Sequence, residues 1–148
     1  MKTKGIKIYT DGACAGNPGP GGWGVVLLYN DLEKELSGYV SETTNNRMEL
    51  LAVIKGLEAL KVQNWEVNIY SDSAYVVNAI NNNWLANWQN NGWKNSKKEA
   101  VANQDLWQRL LELMTLNKVK LNKVKGHSGD KWNERCDKLA TDEIKNNS

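Results

Sequence analysis

Cysteine and histidine are scarce in this 148-residue chain, which has Cys14, Cys136 and the single His127. Two distant cysteines make neither a disulfide framework nor a metal-binding spacing. Long apolar runs are missing as well. No stretch approaches the roughly 18 residues that span a bilayer. The start, MKTKGIKIYTDG, has lysines but neither the apolar core nor the small-residue cleavage site of a signal peptide. Nor is there a large excess of one charge: a net charge of +2 and a pI near 8.5 permit a polyanionic partner without requiring one. The expectation is a reduced, cytoplasmic protein with no membrane association, monomeric by default. What is present, 41% apolar and 24% charged residues, is ordinary globular composition. At this length it implies one domain over residues 1–148 with one core, and no repeat, low-complexity tract or linker divides it.

Periodicity supplies the elements. Ile6–Thr10 alternates as a strand, Gly22–Tyr29 and Leu36–Val40 read as two more, and polar turns are expected around Asn30-Asp31 and Glu33-Lys34. The period then changes, and TTNNRMELLAVIKGLEALK predicts a helix from about Asn46 to Leu60, with Thr44, Asn45 or Asn46 as its cap. Trp65–Ser71 is a fourth strand, Ala74–Asn82 a helix, Gln104–Met114 an amphipathic helix, Val119–Val124 a fifth strand and Trp132–Ile144 a last helix. Trp84–Ala102, polar and rich in tryptophan, has no clear period. This order predicts an α/β fold: an antiparallel meander, then strands reached through helical crossovers, with strands one and four parallel neighbours. Ligands of such sheets gather at the carboxyl ends of the strands. Asp11 and Asp72 are each expected just beyond such an end.

The run GPGGWG, Gly19 to Gly24, has the spacing G-x-G-x-x-G. A dinucleotide site needs a helix to open directly after it, and here VVLLY follows. No Gly-Lys-Ser/Thr completes a phosphate-binding loop either. No nucleotide cofactor is therefore expected.

Four acids remain: Asp11 before Gly12, Asp72 before Ser73, Glu49 among Met48, Leu50 and Leu51, and Asp137 within NERCDKLA. Each has an ordinary reading, respectively a turn cap, a helix N-cap, a partner for a helix dipole and a solvated side chain. As a group they would repel one another unless a divalent cation neutralised them. Hard oxygen donors suit Mg²⁺ or Mn²⁺ rather than zinc. His127 lies in KGHSGDKWNE, between the last strand and the last helix.

YTDGACAGNPGPGGWG, TTNNRMEL, YSDSAYV, VKGHSG and NERCDKLA, in this order, closely resemble the signature segments of type 1 ribonuclease H, and the likeness covers nearly the whole chain. The resemblance implies a five-stranded mixed sheet in the order 3-2-1-4-5 with helices on both faces. It implies hydrolysis of the RNA strand of an RNA–DNA hybrid, giving 3′-hydroxyl and 5′-phosphate ends. It makes Asp11, Glu49, Asp72 and Asp137 the ligands of two Mg²⁺ ions, Mn²⁺ being a possible substitute, with Asp11 the best placed to bridge them. His127 is implied as a helper in proton handling or product release, and the glycines after Asp11 as places where backbone meets substrate.

The same resemblance assigns contacts with the hybrid. Asn17, Asn45, Asn46 and Glu49 would touch the RNA strand, where the 2′-hydroxyl separates RNA from DNA. Thr44 would serve a DNA phosphate near a helix N-terminus, and Trp84 and Trp88 would lie against deoxyribose. Lys94, Lys97 and Lys98 would form a basic patch on the nucleic-acid backbone. Two departures stand out: Ala74 replaces a common glutamine, and Asp130-Lys131-Trp132 differs from the segment that follows the histidine in some relatives. The competing readings are a DNA-processing nuclease of the same fold, which needs only the acids, and a non-catalytic hybrid-binding module, which would be expected to have lost one of them.

Overall fold

The computed structural model describes residues 5–95, 97–125 and 130–147. Its elements are β1 (Gly5–Cys14), β2 (Gly19–Tyr29), β3 (Leu32–Thr43), α1 (Asn45–Glu58), β4 (Glu66–Ser71), α2 (Ala74–Asn81), α3 (Trp84–Asn90), α4 (Gln104–Met114), β5 (Lys118–Lys123) and α5 (Lys131–Asn147). The five strands form one sheet in the order β3-β2-β1-β4-β5. β1–β2 and β2–β3 are antiparallel, whereas β1–β4 and β4–β5 are parallel. The order and the mixed directions agree with the expectation from sequence.

Alternation along the strands decides what is buried. Ile6 and Ile8 of β1, Val67 and Ile69 of β4 and Leu121 of β5 turn to one face, where Leu50, Val53, Ile54 and Leu57 of α1 complete the core. Trp107 of α4 is wholly buried there and donates its indole N–H to the Tyr75 hydroxyl at 3.1 Å. α5 packs on the opposite face, across β1, β2 and β3. Both cysteines are free, and Cys136 is buried in this second layer. Among the described residues no helix is long and apolar enough to cross a membrane.

The main differences from the sequence reading are in β1, β3 and the segment after α2. β1 runs on through Asp11 to Cys14 because Gly12, Ala13 and Cys14 pair with Trp23, Gly22 and Gly21 of β2; what looked like a loop is partly a ladder. Glu33 and Lys34 lie inside β3, not in a turn, since only Asn30 and Asp31 reverse the chain. β3 is an edge strand whose first four residues are exposed, so it has little reason to show an apolar period. Within the unassigned segment, Trp84–Asn90 forms α3, and a single antiparallel bridge joins Lys94 to Ala100.

Candidate metal and nucleic-acid site

The parallel ladder between β1 and β4 ends at the pair Thr10 and Ser71. Asp11 and Asp72 are the next residues of the two chains. Asp11 is therefore not beyond its strand, as the sequence suggested, but just beyond the parallel part of it. Asp72 is held between two buried serines: the Ser71 hydroxyl accepts from the Ser73 N–H at 3.1 Å, and Ser73 caps α2 by accepting from the Val76 N–H at 3.3 Å. The capping role open to Asp72 in the sequence is thus taken by Ser73.

The third acid arrives on α1. Thr44 caps that helix, accepting from the Arg47 N–H at 3.3 Å, and Arg47 ties the helix to α4 through Asp105 at 2.9 Å. Glu49 is then one turn inside, only 6% exposed and too deep to act as a solvated partner of the helix dipole. Carboxylate oxygens of Asp11, Glu49 and Asp72 come within 4.8 Å of one another.

Gly12 makes this closeness possible, in a way the sequence reading missed. Its N–H donates to Asp11 Oδ1 at 2.9 Å and to Glu49 Oε1 at 2.6 Å, so one backbone group orients two acids. A Cβ at Gly12 would collide with the backbone of Met48 and Glu49. Gly22 and Gly24 similarly admit backbone oxygens of Ala140 and Cys136 on α5. These glycines bring helices against the sheet. The available signal was a glycine directly after the acid, on a strand paired with the glycine-rich start of β2.

Burial pushes the Asp11 carboxyl up to about 7, and the charges of Asp72 and then Asp137 add to the effect. Glu49 is raised further, first by burial and then by the charges of Asp11 and Asp72. A hydrogen bond between Asp11 and Glu49 lowers the first and raises the second, while burial and mutual repulsion raise both carboxyls above their ordinary range. Three carboxylate oxygens this close together could hold a metal ion.

A pH dependence follows. Between the ordinary carboxylate range and about 7 the folded chain holds protons that the unfolded chain has released. Without metal, this contribution therefore falls as pH rises through that window. In chelator, Asp11→Asn is expected to be more stable than the parent at pH 8 by at least about 1 kcal/mol, one pKa unit corresponding to about 1.4 kcal/mol. The difference should vanish near pH 4. Urea titrations of both proteins across this range provide the measurement, and a difference independent of pH would contradict the electrostatic account.

The remaining predicted residues are placed unevenly. Asp137 is half-buried on α5; its charge reaches Asp11, but it stands outside the close group of three. His127 lies outside the described residues. Asn17 and Asn45 are exposed and linked, the Asn17 Oδ1 accepting from the Asn45 N–H at 3.1 Å, with Asn46 exposed beside them. Trp84 is 39% exposed, while Trp88 is half-buried, its ring 6.2 Å from that of Trp84 and 5.7 Å from that of Trp107. Trp88 thus serves the core, and both tryptophans line a groove with Asn87, Asn91, Lys94 and Asn95. Lys94, Lys97 and Lys98 are exposed, and Asn95 Oδ1 holds the turn bearing Lys97 by accepting its N–H at 2.9 Å. Ala74 is exposed in the first turn of α2, two residues from Asp72.

The RNase H family model matches residues 3–145 of the chain. A ribonuclease H of Syntrophomonas wolfei is 64% identical over 142 residues, covering 96% of this chain and 97% of that protein. A ribonuclease H of Acetivibrio thermocellus is 58% identical over 145 residues, 98% of each chain. Among solved structures, LC9-RNase H1, a type 1 RNase H with the type 2 active-site motif, superposes with a TM-score of 0.87 at 30% identity, over 100% of this chain and 75% of that one. LC11-RNase H1 in complex with an RNA/DNA hybrid gives 0.73 at 26% identity, over 95% and 97%.

Proposed function

The chain belongs to the RNase H family, and we propose that it hydrolyses the RNA strand of RNA–DNA hybrids at the carboxylate group between β1, α1 and β4. The observation that carries the reading is the convergence of Asp11, Glu49 and Asp72 from three elements, with Asp137 beside them. These residues would hold Mg²⁺, or Mn²⁺ as a substitute, as two ions with substrate bound. Such a pair supplies an activated water and relief of negative charge at the phosphate and the departing 3′-oxygen.

The chain's own residues have distinct parts. Asp11, Glu49 and Asp72, with Asp137 beside them, would hold the ions, and Asp11 at the centre of the sheet would be the candidate shared ligand. The Gly12 N–H keeps Asp11 and Glu49 in register with each other. Water adds to phosphorus, the P–O3′ bond breaks and a proton reaches the 3′-oxygen, leaving 3′-hydroxyl and 5′-phosphate ends. His127 moves a proton or speeds product release. Asn17, Asn45 and Asn46 meet the RNA strand, while Thr44, Trp84, Trp88 and Lys94, Lys97 and Lys98 meet the DNA strand. The same reading takes residues 1–148 as one ribonuclease H domain, monomeric and cytoplasmic.

The direct test is cleavage of an end-labelled hybrid with and without Mg²⁺, beside RNA duplex, DNA duplex and single strands. Mg²⁺-dependent cutting confined to the RNA of the hybrid is expected; equal cutting of DNA duplex would favour a DNA-processing nuclease. His127→Ala is expected to lower kcat about 10²-fold or less with little change in KM, since general acid–base help contributes about 10²–10⁴-fold. A rise confined to KM would place His127 in substrate binding instead.

A further inference from the structure

We infer that the face of β1, β4 and β5 opposite α1 is a track for single-stranded nucleic acid continuous with the hybrid at the carboxylates, an inference that rests on the hybrid-directed reading above. α5 makes its main contacts on this side with β2 and with parts of β1 and β3, leaving Lys7 exposed and Tyr9 half-buried beside β4 and β5. The strand registers put the side chains of this face in rows. Tyr9, Tyr70 and Asn122 form the row nearest the carboxylates, Lys7, Asn68 and Lys120 the next, and Gly5, Glu66 and Lys118 the last. Asp11 continues the sequence Lys7, Tyr9, Asp11 along β1 with the same parity. The rows therefore lead directly away from the metal-binding acids, with Lys7 four residues from Asp11, about 13 Å along a strand.

The chemistry along these rows suits a single strand. The Tyr9 and Tyr70 rings stack on one another, 4.7 Å apart and 16° from parallel, standing half-buried beside Asn122. The Asn122 amide donates to Asn68 Oδ1 and to the Ile69 carbonyl, each at 3.3 Å, so what a ligand could use on this half-buried polar strip is the Asn122 Oδ1 and the Asn68 Nδ2. Lys7, Lys118 and Lys120 are exposed, and none is ion-paired among the described residues. Glu66, opposite Lys118, is the one acid in the three rows. Asp31 and Glu33 share a depression with Lys7 on the β2 side, which directs a polyanion towards β4 and β5. Lysines along an edge strand also discourage strand pairing, but that purpose explains neither the aromatic stack nor the alignment with Asp11. Unpaired bases present faces to the tyrosines and phosphates to the lysines, the two features by which single strands are held without sequence preference.

The experiment compares a blunt hybrid with hybrids extended on either strand by a single-stranded tail of about ten nucleotides, within the span of small single-strand sites. Binding is measured by anisotropy in Ca²⁺, and cleavage of the blunt hybrid is measured in Mg²⁺. At least one tail is expected to tighten binding and to steepen the slope of log affinity against log salt by about 2, for three contacts at about 0.7 each. The triple variant Lys7→Gln, Lys118→Gln, Lys120→Gln should lose both effects while cutting the blunt hybrid at the parental rate. The corresponding Lys→Arg triple should keep them. Equal affinity of the parent for blunt and tailed hybrids, or a Gln triple that retains the gain, overturns the track. Failure of the parent to cut the blunt hybrid would instead overturn the hybrid-directed reading.

Discussion

Asp72→Asn is expected to lower the rate of hybrid cleavage by at least about 10³-fold while hybrid affinity in Ca²⁺ changes little. The carboxamide keeps the shape of the side chain and its place between Ser71 and Ser73, so α2 and the end of β4 should be undisturbed. What disappears is one negative oxygen donor from a group of three within 4.8 Å. Loss of one preorganised electrostatic group at a reacting centre commonly costs about 10²–10³-fold, and a metal ligand also governs whether the ion binds at all. Removing the Asp72 charge relieves both Asp11 and Glu49, whose carboxyls it pushes up. The metal-free variant should therefore unfold at or above the parental temperature. Single-turnover cleavage, anisotropy and calorimetry in chelator test the three parts. Near-parental turnover in Mg²⁺ would remove Asp72 from the metal site.

Gly12→Ala should damage both stability and activity although it removes no functional side chain. The new methyl would meet backbone atoms of Met48 and Glu49, which cannot rotate aside as the end of a flexible side chain can. Either α1 lifts from β1 or the strand shifts, and overpacking of this kind costs about 1–3 kcal/mol and occasionally more. For a chain of this size that corresponds to a fall in Tm of about 3–10 °C. The same displacement moves Glu49 from Asp11, and a misplacement of about 1 Å can cost about 10²-fold in rate. The expected pattern is a lower Tm together with a kcat reduced on that scale, read from thermal melts and steady-state cleavage. A variant that melts and turns over like the parent would mean that α1 does not depend on the bare Gly12 backbone to seat Glu49.

These two substitutions mark different degrees of legibility. Asp72 was identifiable because a β-branched and aromatic run ends on it and a capped helix follows, both local patterns. Gly12 was visible as a residue but not as a device. Its function depends on α1 crossing β1 directly above it, and helix–sheet contact has no signature within a short window of sequence. The same holds for Gly22 and Gly24 beneath α5. Glu33 and Lys34 were misplaced in a turn because an exposed edge strand buries too little to impose alternation. The segment after Trp84 was unreadable for a related reason: in α3 only Leu85 is buried, and Trp88 reaches the core from a mostly exposed helix.

By itself the sequence determined the elements other than α3, their mixed directions, the likeness to ribonuclease H and the candidate acids. Those features are written in periodicity, capping residues and short motifs, each satisfied by neighbours a few positions away. Only the tertiary structure decided which acids meet. Asp11, Glu49 and Asp72 close into one group because the parallel ladder of β1 and β4 stops just before both aspartates while α1 lies on Gly12. Asp137 remains at one side on α5, its charge reaching Asp11 but its carboxylate outside the group of three. The raised carboxyls of Asp11 and Glu49 follow from that meeting, since burial and mutual repulsion arise only when distant parts of the chain exclude water together.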